Sequence, residues 1–169
     1  MRTALLVIDA QASFAQRPNW RDVSNPDLVA NIHRLVAAAR SHGELVVWVF
    51  HSEPGTGGVF DPELGYVTPL PGLDPHADEP RLTKTSHNAF TTTNLQQLLT
   101  TRQIGQVRIT GIQTERCCET TARSRPTSAT TSTSSPMRPR RSRFPTRPRQ
   151  QTATGMSYAP IHAHCRPMR

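Results

Sequence analysis

The first apolar block of the chain, Leu5-Leu6-Val7-Ile8 after Thr3 and Ala4, stops at Asp9. A short unbroken apolar run of this kind predicts a parallel strand buried on both faces. Its end delivers an acid, and open α/β sheets gather functional side chains at the carboxyl ends of their strands. A loop with Phe14, Pro18 and Trp20 follows. Asn25-Pro26-Asp27 then opens a helix in which Leu28, Ile32, Leu35, Val36 and Ala39 recur at helical spacing, and Ser41-His42-Gly43 closes it. Glu44 to Phe50, with Leu45-Val46-Val47-Trp48-Val49-Phe50, predicts a second buried strand. Strand, helix, strand in this order implies a right-handed parallel crossover.

The pattern then lapses. From His51 to Pro80 the chain is rich in Pro and Gly and has no period. A connection this long in a compact domain points to an active-site or interface loop. Leu82-Thr83-Lys84 predicts a short strand end, Leu95, Leu98 and Leu99 a helix, and Val107-Arg108-Ile109-Thr110 a strand after Gly105. Lys84, like Asp9, is thereby placed at the end of a strand.

That last strand feeds the stretch around which the chain is organised, residues 109–123, where Gly111 and a polar turn lead to Cys117-Cys118 and then to Glu119-Thr120-Thr121-Ala122-Arg123. A thiol in the first turn of a helix meets unpaired backbone N–H groups and the positive end of the helix dipole. The expectation is a lowered thiol pKa and a thiolate available near neutral pH. The same N–H groups can hold the oxyanion formed when sulfur attacks a carbonyl. The competing use is packing, with Cys117 and Cys118 as small apolar residues between helix and sheet.

Composition divides the chain in two. Its 169 residues suffice for one domain with a sizeable core, and the formal net charge is +8. Residues 1–123 carry 11 Lys+Arg against all 12 Asp+Glu, a net of −1, whereas residues 124–169 carry 9 Arg and no acid, a net of +9. The first part thus gives no electrostatic reason to expect a nucleic-acid or membrane partner. Three cysteines, with an opening apolar run too short for a signal peptide, suggest a reducing cytoplasm rather than a disulfide framework.

Taken together, Ala4-Leu5-Leu6-Val7-Ile8-Asp9-Ala10-Gln11 with Phe14, Thr83-Lys84 with Ala89-Phe90, and Thr110-Gly111-Ile112-Gln113-Thr114 leading to Cys117 and Thr121-Ala122-Arg123 resemble the isochorismatase-like cysteine hydrolase superfamily. The family nucleophile falls six residues after the glycine, which selects Cys117 over Cys118. The resemblance covers residues 1–123. It implies a doubly wound, Rossmann-like parallel α/β sheet with helices on both faces. It also implies a catalytic set of Asp9, Lys84 and Cys117, in which Asp9 is the general base and later the acid toward the leaving amine, and Lys84 holds Asp9 and the thiolate in place. Backbone N–H groups of Gln113 and Cys117 would form the oxyanion hole, beside the cis peptide that the family carries at Ile112–Gln113. Phe14 and the 51–80 loop would line the substrate pocket.

Isochorismate cleavage needs no thiol nucleophile, so Cys117 favours hydrolysis of the C–N bond of a small amide or ureide through a Cys thioester acyl-enzyme. Nicotinamidase-type or isochorismatase-type activity is the alternative. Nicotinamidases hold a metal through an Asp-x-His pair after the second strand, and here that place reads Val49-Phe50-His51, without the aspartate. His51, Asp61 and His76, scattered through a loop, make no ligand set, so neither metal nor cofactor is expected. The partners expected are a small-molecule substrate and, with an intact C-terminus, further copies of the chain, with no membrane.

After Arg123 the family pattern is a continuing helix, a glycine and a strand. The chain instead gives a Ser/Thr/Pro/Arg-rich stretch from Ser124 onward without helix or strand period, which predicts a disordered basic tail over 124–169 and an incomplete hydrolase domain over 1–123. Codon degeneracy offers an explanation. Residues 125–134 can be encoded by CGT-CCG-ACC-TCG-GCT-ACG-ACG-TCG-ACT-TCG, and the neighbouring frame of that DNA reads Ser-Asp-Leu-Gly-Tyr-Asp-Val-Asp-Phe. That is a helix end, a glycine stop and an alternating strand, so the tail is expected to be a frameshifted reading of an ordinary C-terminal third. Two competing functions follow from the tail: an inactive frameshifted product, or a basic arm binding nucleic acid.

Overall fold

The computed structural model describes residues 2–18, 20, 25–112, 114–124 and 131–133. Five parallel strands form one sheet in the order β3-β2-β1-β4-β5, where β1 is Arg2–Ile8, β2 Leu45–His51, β3 Arg81–Lys84, β4 Ile104–Gly111 and β5 Thr131–Thr133. The apolar block at the start of the chain takes the centre, and Leu6 sits in register with Val47 on one side and Ile109 on the other. Ala4 to Ile8 are buried throughout, as an unbroken apolar run requires.

Alternation along β1 sends its side chains to two separate cores. Leu5 and Val7 join Val46, Trp48 and Phe50 under α2 (Leu28–Ser41), whose Ile32, Val36 and Ala39 form the apposed stripe. Ala4, Leu6 and Ile8 join Val47, Val49, Val107 and Ile109 under α3 (Leu95–Thr101) and the segment carrying Cys117 and Cys118. The sheet is therefore doubly wound, with helices on both faces, as the resemblance implied. No helix among the described residues is long and apolar enough to cross a membrane.

Most element bounds fall within a residue or two of the sequence expectation. Asn25 accepts the backbone N–H of Asp27 ahead of α2, and Gly43, at φ 65°, supplies the left-handed turn after it. Two corrections apply. The loop expected after Asp9 contains a short helix, α1 (Ala12–Ala15), and β4 begins at Ile104, three residues before the expected Val107. Four residues are too few to show a helical period, and the mixed sequence Ile104-Gly105-Gln106 hides a strand start.

The 51–80 segment is held to the body by polar contacts rather than by a long element of its own. Its only regular piece is a 3-10 turn at Pro62–Leu64, opened by the Asp61 carboxylate accepting the N–H of Glu63. Glu79 is the main tether, since its carboxylate accepts from Arg40, from the Trp48 indole N–H at 2.7 Å and from the N–H of His76 at 2.9 Å. Within the stretch that showed no strand period, Thr131–Thr133 pair with Val107–Ile109 as β5. The remainder of 125–169 lies outside the described residues, and so does the expectation of a disordered tail.

Candidate active site

The carboxyl ends of β1, β3 and β4 converge, and they bring Asp9, Lys84 and Cys117 into contact. Asp9 leaves β1 at φ 54°, a left-handed conformation uncommon for a residue with a side chain, with its N–H on the carbonyl of Val49 at 2.8 Å. Gly111 is what lets β4 close over this corner. Its φ is 146°, and a Cβ there would stand 1.8 Å from the carbonyl oxygen of Ile8. The next residue, Ile112, donates its N–H to that same oxygen at 2.9 Å. The chain is thereby turned across the end of β1 and into the π-helical turn Thr114–Cys118, which leads into α4 (Glu119–Arg123). Thr121 fastens α4 by accepting the N–H of Ala89 at 3.1 Å, a buried bond that gives both motif residues a structural reason.

The Lys84 ammonium is the hub. It lies 2.9 Å from Asp9 Oδ2, 3.4 Å from Cys117 Sγ and 3.4 Å from His51 Nδ1. Asp9 and Lys84 are completely buried and Cys117 nearly so. A buried charge of either sign is tolerable only when paired, and here each compensates the other. Asp9 Oδ1 is buried with no hydrogen-bond partner among the described residues, and the Asp9 carboxylate acts on the neighbouring Cys117 thiol. That oxygen is an open acceptor for the thiol proton.

Cys118 points elsewhere, its thiol directed at the carbonyl of Ile112 at 3.9 Å. Of the two adjacent cysteines, the one six residues after the glycine faces the charged pair and the other packs. The expected acidity of the thiol is corrected. Burial first, and then the Asp9 carboxylate, push the Cys117 thiol up to about 12, and the opposing pull of Lys84 does not compensate. Cys117 does lie in the opening helical turn, the π-helical Thr114–Cys118 that runs into α4, but that position does not lower its thiol.

Phe14 is buried one ring removed from the charged cluster. It meets Phe60 edge-on at 5.0 Å, Phe60 meets His51 edge-on at 5.5 Å, and His51 lies parallel to His87 at 6.4 Å. His87 Nδ1 is 3.6 Å from Cys117 Sγ. Sequence reasoning missed Phe60 and His87, although His87 stands only three residues after Lys84. Gln113, the Ile112–Gln113 peptide bond and the expected oxyanion contribution of Gln113 lie outside the described residues.

A metal does not fit the residues that were weighed for one. Nε2 of His51 faces Glu53 at 3.1 Å and its Nδ1 faces a lysine ammonium, which excludes a cation. Asp61 is occupied by the N–H groups of Gly57 and Glu63. No three His, Cys, Asp or Glu residues among the described ones are arranged to hold a metal ion.

A doubly wound parallel sheet with an aspartate, a lysine and a cysteine at its carboxyl edge defines the chain as an α/β protein of the cysteine-hydrolase architecture. The Isochorismatase domain family model matches residues 3–125, and the chain belongs to the isochorismatase family. It is 34% identical over 122 residues to a streptothricin hydrolase of Streptomyces noursei, covering 71% of this chain and 47% of that protein. It is 30% identical over 155 residues to the ureidoacrylate amidohydrolase RutB of Enterobacter sp. (strain 638), covering 72% of this chain and 67% of that one. A crystal structure of a cysteine hydrolase from Pseudomonas syringae pv. phaseolicola 1448A superposes with a TM-score of 0.65 at 28% identity, over 72% of this chain and 64% of that chain. The chain thus spans about half to two thirds of the length of these relatives.

Proposed function

We propose that this chain is built as a cysteine hydrolase that cleaves the C–N bond of a small amide or ureide through a thioester on Cys117. The contact of one buried lysine ammonium with both the Asp9 carboxylate and the Cys117 sulfur carries this reading. The thiol proton passes to Asp9 Oδ1, sulfur attacks the substrate carbonyl, and backbone N–H groups of Cys117 and Gln113 receive the oxyanion. Collapse of the tetrahedral intermediate expels the amine, which takes its proton from Asp9. Asp9 then deprotonates the water that hydrolyses the thioester. Lys84 stays charged throughout and stabilises each anionic form in turn. Its closeness to Asp9, with both groups completely buried, strengthens every one of these interactions. The similarity to a ureidoacrylate amidohydrolase supports the same bond type.

The test is mass spectrometry of the protein after a brief incubation with a panel of small amides and ureides. The expected result is an acyl adduct on Cys117 together with amine release, both lost in Cys117→Ala and with release lost in Asp9→Asn. Turnover that persists in Cys117→Ala would refute the thioester route and favour a reaction of the vinyl-ether type, which needs no nucleophile.

One observation also favours the out-of-frame reading of residues 124–169. β5 falls at Thr131–Thr133, where the neighbouring frame supplies the alternating Asp-Val-Asp-Phe. In the chain as written the same place is filled with Thr-Ser-Thr, which has no apolar side chain to bury. Resequencing the coding DNA from the codon of Glu119 to that of Met137 tests this directly. An unbroken frame in the source DNA would refute it.

A further inference from the structure

We infer that His87 is a further catalytic residue, which takes the proton of Cys117 on the solvent side of the nucleophile and exchanges it with bulk water. The inference rests on Cys117 being the nucleophile. His87 Nδ1 lies 3.6 Å from Sγ, on an exposed residue, whereas the other two groups on that sulfur, Asp9 and Lys84, are completely buried. Of these three groups at the sulfur, only His87 also reaches solvent. The charged and titratable groups around it are the thiol itself, the parallel His51 ring at 6.4 Å, Lys84 and Glu53 on the two nitrogens of that ring, and Asp9 behind Lys84. His51 has both nitrogens occupied by these partners, which leaves His87 as the imidazole free to move a proton at the sulfur.

The step balances without a further reagent. A neutral His87 ring protonated at Nε2 presents the Nδ1 lone pair to the thiol. The S–H bond breaks with its electron pair left on sulfur, Nδ1–H forms, and thiolate faces imidazolium. The exposed ring then gives up a proton to water, or keeps it and returns it to sulfur. A thiol pushed up to about 12 by burial and by Asp9 is almost entirely protonated near neutrality, so a second acceptor raises the reactive population. An imidazole is the side chain that ordinarily changes charge in that range. When His87 holds the proton, its imidazolium returns it to the leaving amine; when Asp9 has taken it instead, Asp9 returns it.

The experiment is the rate of iodoacetamide alkylation from pH 5 to 9 in the full chain, with the adduct located on Cys117 by tandem mass spectrometry. The expected wild-type rate rises with pH through a step and then levels off. In His87→Gln the step disappears and the rate at pH 7 falls about tenfold or more. In His51→Gln the step stays. The exposed position of His87 keeps the substitution away from the core. A step retained in His87→Gln at the wild-type rate, or one lost only in His51→Gln, would overturn the inference. Failure of Cys117 to take the label in any version at any pH would instead remove the nucleophile assignment and this inference with it.

Discussion

Replacing Lys84 by methionine keeps most of the side-chain volume and deletes the single positive charge that offsets Asp9. Both residues are completely buried and 2.9 Å apart. Removing one partner of such a pair costs about 3–5 kcal/mol, because the survivor is left as an uncompensated buried charge. An independent bound gives a similar figure. A buried carboxylate escapes by binding a proton, and protonating one with an unfolded-chain pKa of about 3.9 costs about 4 kcal/mol at pH 7, at 1.36 kcal/mol per unit. The sign of the pH dependence follows. The folded variant holds a proton that the unfolded chain has released, so the penalty is full at neutral pH and shrinks as pH falls toward about 4. At pH 5 the same arithmetic leaves about 1.5 kcal/mol. Urea denaturation of wild type, Lys84→Met, Asp9→Asn and the double variant at pH 7 and pH 5 measures all of this. The double variant should be more stable than Lys84→Met alone, since it has no orphaned charge. A Lys84→Met chain within about 1 kcal/mol of wild type at pH 7, or a double variant as unstable as the two single losses added, would refute the account of the site as a mutually compensating buried pair.

Gly111→Ala should destabilise the fold by more than about 2 kcal/mol and abolish labelling of Cys117, because the added Cβ would stand 1.8 Å from the Ile8 carbonyl oxygen; a thermal melt and the alkylation assay check both. Thr121→Val removes the acceptor of the buried Ala89 N–H and should cost about 1–3 kcal/mol in the same melts. Burial acts to raise the Glu79 carboxyl, but the bonds from Arg40, Trp48 and His76 prevail and hold it below the usual range. That stability is present above the unfolded carboxylate pKa and lost as pH falls through the folded one. Glu79→Gln should therefore flatten the acid limb of the pH–stability curve and speed limited proteolysis within residues 51–80. A chain with the alternative frame restored after Arg123 should melt at a higher temperature than the chain as written, and equal melting points would count against the frame argument.

The sheet was legible because its strands are continuous apolar runs, and a run such as Leu5–Ile8 has few other places to go than the middle of a parallel sheet. The convergence of Asp9, Lys84 and Cys117 was legible for a related reason. Each stands at or just beyond a strand's carboxyl end, and parallel strands in register carry such ends to one edge. What stayed hidden depends on contacts distant in sequence. Phe60 lies in a segment without period, so nothing local says that it stands between Phe14 and His51. The acidity of Cys117 was misjudged because the sequence displays the helix that follows but not the burial or the facing carboxylate. Gly111 was visible as a motif residue, yet its cause, the carbonyl of Ile8 within bonding range of any Cβ, exists only once β1 and β4 are paired.

The raised thiol is consistent with hydrolysis. A thiolate that stood free at rest would be open to oxidation and alkylation. Burial beside Asp9 keeps Cys117 protonated, while the unpartnered Oδ1 and the nearby imidazole leave the proton somewhere to go when a carbonyl arrives. The electrostatic work is then done by Lys84, whose position depends on β3 staying in register with β2 through the pairing of His51 with Lys84. That pairing is on the edge of the sheet opposite β5. The acid and the lysine are thus carried by β1 and β3 on either side of β2, whereas the sulfur is placed from the β4 side of the sheet.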